Sequence, residues 1–213
     1  MPRVPETCQK SLRWRLREAT RPQHDAVEDY LAVLDRMLST SEYRRLLERM
    51  WGFYTPLEKA LLRLNWPESG IVIAERCKSG WLRSDLTDLG YETQQIDRLP
   101  QCSAIPIVDS VPKGLGVLYV LEGATLGGQV ILRQLAPDLG IGPSFAGRFY
   151  ASYGADVGRK WRSYLTALDA VGRCRDTNAA IEDAAIETFG ALHAWLESAG
   201  GVRHRLDTEA RAE

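Results

Sequence analysis

Gly114-Leu115-Gly116-Val117-Leu118-Tyr119-Val120-Leu121-Glu122-Gly123-Ala124-Thr125-Leu126-Gly127-Gly128 opens an almost wholly apolar run that continues to Leu135. Lys113 and Arg133 flank it as they would a membrane span. Against a span, Glu122 sits at its centre, five glycines interrupt it, and one span would leave the amphipathic helices elsewhere without a bilayer role. The run reads instead as a helix buried on most sides inside a soluble bundle. At about 100° per residue, Gly116, Gly123, Ala124 and Gly127 share one face that has almost no side chains. Each interior glycine costs a helix about 0.5–1 kcal/mol relative to alanine, so something must approach this backbone closely. Another helix or a ligand would satisfy that requirement, and the adjacent Gly127 and Gly128 let the helix bend over a planar object.

Apolar residues recur at helical spacing on both sides of the run, with no sustained two-residue alternation, so the fold class is all-α. A first helix is expected over Lys10 to Leu31, with Leu12, Leu16, Ala19, Gln23, Ala26, Val27 and Tyr30 facing the core. A second begins near Ser41 and turns Tyr43, Leu46, Leu47, Met50, Trp51 and Tyr54 inward. Thr55-Pro56-Leu57-Glu58 resembles a capping box with proline at the first helical position, so this helix is expected to kink or restart there. Short helices follow over Ile71 to Lys78, Trp81 to Leu89 and Thr93 to Leu99, then an extended connection over Gln101 to Pro112. Pro137 is expected to end the glycine helix. Phe145 to Gly172 reads as helical with a break at Gly154, and Thr177 to Ser198 as a last amphipathic helix.

A chain of 213 residues with 45% hydrophobic and 26% charged residues suits one domain, expected over residues 10–199, between a flexible arm at 1–9 and a charged tail at 200–213. A net charge of −1 calls for neither nucleic acid nor an anionic membrane as main partner. Cys8, Cys77, Cys102 and Cys174 show no CxxC pair, which argues against a zinc site or disulfide framework. The arginine-rich start lacks the apolar segment of a secretory signal, and the expected location is the cytoplasm.

Imidazole chemistry has three candidates, His24, His193 and His204. His204 is in the tail, and His193 sits beside Phe189, Leu192 and Leu196 as a boundary histidine. His24 lies about a third of a turn from the core face, on a stripe with Arg13, Arg17 and Arg21. That stripe is either a solvated basic face or a setting for an anionic metal complex. Glu28, four residues on, can take the imidazole Nδ1–H and leave Nε2 as a ligand. Pro22 interrupts the hydrogen-bond ladder between them and is a place for a kink.

The stretch Leu16-Arg17-Glu18-Ala19-Thr20-Arg21-Pro22-Gln23-His24-Asp25-Ala26-Val27-Glu28 resembles the proximal ligand motif of the haem oxygenases, and Tyr119 to Ile131 resembles their distal helix in its bacterial form. Weaker echoes in Trp81 to Leu86 and in Tyr153-Gly154 through Trp161-Arg162 extend the similarity over roughly residues 10–198. The resemblance implies an all-α, single-domain bundle with haem, both cofactor and substrate, between the two helices. It makes His24 the iron ligand with Glu28 as its acceptor. It places Gly123 and Gly127, with Gly128, at the catalytic distal face, and gives Arg17, Tyr119 and Arg162 to the haem propionates. It implies opening of the ring at a meso carbon with O2 and external electrons, yielding biliverdin, CO and ferrous iron. A ferredoxin or flavoprotein reductase would be the donor, with iron release or supply of a bilin to a photoreceptor as the purpose. Ala124 departs from the pattern, because many members place an aspartate there. The competing readings are a haem carrier or sensor, a non-haem enzyme of the same architecture, and a helical interaction module. The di-iron version of the second needs Glu-x-x-His spacing, which no histidine here has.

Overall fold

The computed structural model describes residues 11–35, 39–66, 70–172 and 174–198. Eight α-helices account for most of them: α1 (Leu12–Asp35), α2 (Thr40–Leu62), α3 (Ser79–Asp88), α4 (Thr93–Asp97), α5 (Val111–Leu139), α6 (Arg148–Ala151), α7 (Val157–Val171) and α8 (Arg175–Glu197). Among the described residues there is no strand, only isolated bridges around Gly142, so the all-α reading stands. The arm at 1–9 and the tail at 200–213, with His204, lie outside the described residues.

Local chemistry sets the helix boundaries, and in several places it differs from the expectation. α2 starts at Thr40, within a residue of the expected Ser41, because Ser39 and Glu42 form the capping box there, with Ser39 N–H donating to Glu42 Oε2 at 2.8 Å. It then runs unbroken through Pro56. A proline there frees the carbonyl of Gly52, and the N–H of Cys102 takes it at 2.9 Å, so the lost bond is replaced from the extended segment. Pro137 likewise lies inside α5 instead of ending it. Near the end of a helix it removes a single bond, and the stop falls at Gly140, left-handed at φ 64° with its N–H on Ala136 O at 3.0 Å. Ile71 to Lys78 condenses to one 3₁₀ turn, Ile73–Arg76, and the segment after Phe145 breaks into α6, a 3₁₀ turn at Gly154–Asp156 and α7.

α5 is the central element and packs most extensively on α8, which also carries α1 along its length. Arg15 pairs with Glu182 at 2.7 Å and the Tyr30 hydroxyl donates to Leu196 O at 3.0 Å, so α1 and α8 run side by side in the same direction. Tyr164 of α7 is fully buried and donates to Leu115 O at 2.9 Å, tying α7 to the start of α5. α5 is the one described helix long and apolar enough to cross a membrane, yet more than half of that stretch is buried against its neighbours.

Gly116 explains how close α5 and α8 come. A Cβ there would lie 2.8 Å from Ala184 Cβ and 2.9 Å from Ala185 N, and would collide with Ile181 O. Backbone cannot yield as a flexible side chain can, so Gly116→Ala is expected to lower stability by about 1–3 kcal/mol in thermal or urea melts. An unchanged melt would show that the two helices are further apart.

Candidate functional site: the His24 helix and the glycine helix

His24 projects from the middle of α1, which passes through Pro22 without interruption. Its side chain is 49% exposed, and its Nδ1 faces Glu28 Oε2 at 3.5 Å and Asp25 Oδ1 at 3.8 Å. The ring meets Phe189 of α8 edge to face, with centroids 5.6 Å apart. Carboxylates on the Nδ1 side favour the tautomer with its proton there, which leaves Nε2 with a free lone pair. His193 instead stands 28% exposed beside Glu197 on the same helix, as a boundary residue would.

The glycines of α5 divide into two groups by their surroundings. A Cβ at Gly114 would strike Trp66 and Leu64, and one at Gly116 would strike α8. At Gly128 a Cβ would lie 2.8 Å from Tyr150 O. At Gly123 and Gly127 it would meet nothing within 4 Å. Those two glycines therefore border open space, and the exposed side chains beside them are apolar: Ala124, Leu126 at 45% and Val130 at 47%. An exposed apolar stripe with no side chains at its centre is suited to a flat apolar ligand. Gly128 does different work, since its missing side chain lets the backbone of α6 lie against α5. Asp85 and Asp88 of α3 hold α6 there, with Asp85 accepting from Arg148 N–H at 3.0 Å and Phe149 N–H at 2.8 Å.

Tyr119, one turn before Gly123, stands where α5 meets α1. Burial pushes its phenol above the usual value, while a hydrogen bond with the Thr20 side chain and the charges of Arg17 and Arg13 pull the other way. The structure thus gathers Tyr119, Arg17, Arg13 and Thr20 in one place. Arg13 and Arg17 are exposed. Behind Tyr119 stands Trp161 of α7 at 6.0 Å between rings, itself stacked on Tyr164 at 5.2 Å. Arg162, next along α7, is exposed and lays its guanidinium over Gly158, Nη1 being 3.6 Å from where a Cβ would be. The role of Thr20 could not be read from the sequence, because its apolar-face position says nothing of the phenol that reaches it.

Glu122, which in the sequence served only to argue against a membrane span, is 1% exposed and fully engaged. Oε2 accepts from Arg76 Nη1 at 2.6 Å, and Oε1 from Lys78 Nζ at 2.7 Å and the Tyr153 hydroxyl at 2.8 Å. Glu58 of α2 accepts from the N–H groups of Lys78 at 2.5 Å and Ser79 at 3.1 Å, capping α3. A lone carboxylate in an apolar run does signal a buried cationic partner, although not which one. A cavity of about 490 Å³ lined by Trp51, Thr55, Lys59, Arg83 and Asp97 among others lies between α2 and α3, and neither His24 nor the glycines of α5 line it.

The fold and site define an all-helical protein with a half-exposed histidine on one core helix and an open glycine stripe on another. The chain belongs to the haem oxygenase family, for the Heme oxygenase family profile matches residues 10–198. Solved structures give the same fold. The haem oxygenase of Neisseria meningitidis, in NO- and CO-bound forms, is similar with a TM-score of 0.76 at 20% identity over 89% of this chain and 92% of that one. Haem oxygenase-1 of the cyanobacterium Synechocystis, in complex with haem, gives 0.73 at 17% identity over 94% and 98%. The haem oxygenase of Leptospira interrogans gives 0.66 at 21% identity over 87% and 98%. No curated protein matches the chain.

Proposed function

We propose that this chain binds haem between α1 and α5 and opens it at a meso carbon to biliverdin, CO and ferrous iron, using O2 and electrons from a ferredoxin or flavoprotein reductase. The observation that carries the proposal is the pair Gly123 and Gly127, the two glycines within α5 whose absent side chains face open space and not protein. The family and the haem complex of the cyanobacterial relative support it.

Haem, as both cofactor and substrate, supplies the redox chemistry when bound. His24 would hold the iron through Nε2, and Glu28, with Asp25 beside it, would hold the Nδ1 proton and fix the ring's tautomer. A neutral imidazole gives less electron push than a thiolate. Gly123 and Gly127 would leave a low ceiling over the ring and expose the backbone to it. The exposed Arg17 and Arg162, with the Tyr119 phenol, would hold the two propionates and so set the ring's rotation. Ala124 brings no carboxylate to order water at the distal face, and backbone groups would do so instead. The purified protein would be soluble and cytoplasmic, and its product would serve iron release or a bilin-binding photoreceptor.

Ala124 also gives weight to a second reading, a carrier or sensor that binds haem without opening it. The two separate on supplying electrons and oxygen to the haem complex. The enzyme is expected to replace the Soret band with the absorption of a verdin and release CO. A haem spectrum that survives many electron equivalents would establish the carrier.

A further inference from the structure

We propose that Glu122 is a positioning residue for the distal face: its clamped carboxylate fixes the rotation of α5 about its own axis, and thereby where Gly123 and Gly127 point. This inference rests on the reading of α1 and α5 as the haem site. Its ground is geometric. Gly123 and Gly127 have no side chains, and a Cβ at either would meet nothing within 4 Å, so no side-chain packing keys their orientation. Glu122 lies about 100° around the helix from Gly123, on the buried side, and is joined to it by one peptide bond.

Three donors from two segments converge on that carboxylate, all between 2.6 and 2.8 Å. Arg76 continues to Ser163 Oγ at 2.6 Å and Lys160 O at 3.3 Å, so the same guanidinium holds α7. Lys78 also donates to Arg76 O at 2.9 Å, and Glu58 holds its backbone from α2. Four other parts of the fold, α2, the 3₁₀ turn, the start of α7 and the loop carrying Tyr153, therefore agree on the position of one residue of α5. In that loop Ser152 is held at a φ of 50°, a left-handed backbone that only an over-determined neighbourhood sustains.

The cluster has two cations, Arg76 and Lys78, and two carboxylates, Glu122 and Glu58. A leucine would fill the volume, and buried ion pairs are weak devices for stability alone. What a carboxylate with three fixed donors adds is direction.

The test compares the full-length protein with Glu122→Gln, which keeps an acceptor for Lys78 and Tyr153 but turns an NH2 toward Arg76. Its partner is the double variant Glu122→Gln with Arg76→Gln, which removes that clash. In the haem-free protein, amide exchange across residues 117–127 is expected to quicken roughly tenfold or more in the single variant and to slow again in the double. With haem, the single variant is expected to keep its Soret band while its biliverdin isomer ratio shifts and kcat falls more than KM rises. Tyr153→Phe, which removes one donor, is expected to move the same readouts less and serves if Glu122→Gln does not fold. A variant that folds with a lower Tm but has wild-type exchange, isomer ratio and haem spectrum would overturn the inference. If the wild type makes no verdin, the functional reading fails, and the exchange comparison still decides whether Glu122 orients α5.

Discussion

His24→Ala is expected to remain folded and to lose haem turnover. The side chain is 49% exposed, and it meets Phe189 of α8 edge to face. Removing it costs the apoprotein about 0.5–1.5 kcal/mol, the worth of such an aromatic pair. The effect on haem is larger. Altering a partner that merely supports a ligand reduces metal affinity or activity roughly 10–100-fold. Deleting the proposed ligand itself should exceed that and change the absorption of whatever haem still binds, with exogenous imidazole restoring part of the spectrum. His193→Ala, from a boundary position, should leave turnover in place. If His24→Ala opened haem at the wild-type rate, the ligand would have to be sought elsewhere.

Gly123→Leu is expected to separate binding from stability. A Cβ at Gly123 meets nothing within 4 Å, so the added side chain is expected to extend into the open space beside α5. Helix propensity favours leucine over glycine, so the melting temperature of the haem-free protein should hold or rise by the equivalent of about 0.5–1 kcal/mol. Haem affinity, followed by tryptophan fluorescence quenching, should fall sharply, because the side chain would occupy the place proposed for the ring. Gly116→Ala acts in the opposite sense, weakening the fold and leaving the face at Gly123 and Gly127 intact. Unchanged haem affinity in Gly123→Leu would remove the glycine stripe from the site.

Sequence reading was strongest where a single periodicity or spacing carried the information. The helical recurrence of apolar residues and the glycine stripe both come from the 3.6-residue period, and His24 with Glu28 from the four-residue spacing that aligns side chains on a helix. The reading was weakest where a distant segment completes a local pattern. Pro56 and Pro137 resemble helix breakers, but Cys102 repairs the first and Gly140 supplies the stop after the second. Gly116, Gly123 and Gly127 share a face in sequence, yet α8 covers the first and open space borders the others. Gly128 looked like a hinge over a ligand, and the backbone of Tyr150 lies against it. The partners of Glu122 are 46 and 44 residues upstream and 31 downstream, beyond any local signal.

The most direct test of haem binding between α1 and α5 is the position of iron in crystals of the haem complex, found from its anomalous scattering. The peak is expected within bonding distance of His24 Nε2, with the ring plane against Gly123 and Gly127. A peak beside His193, or in the cavity between α2 and α3, would contradict it.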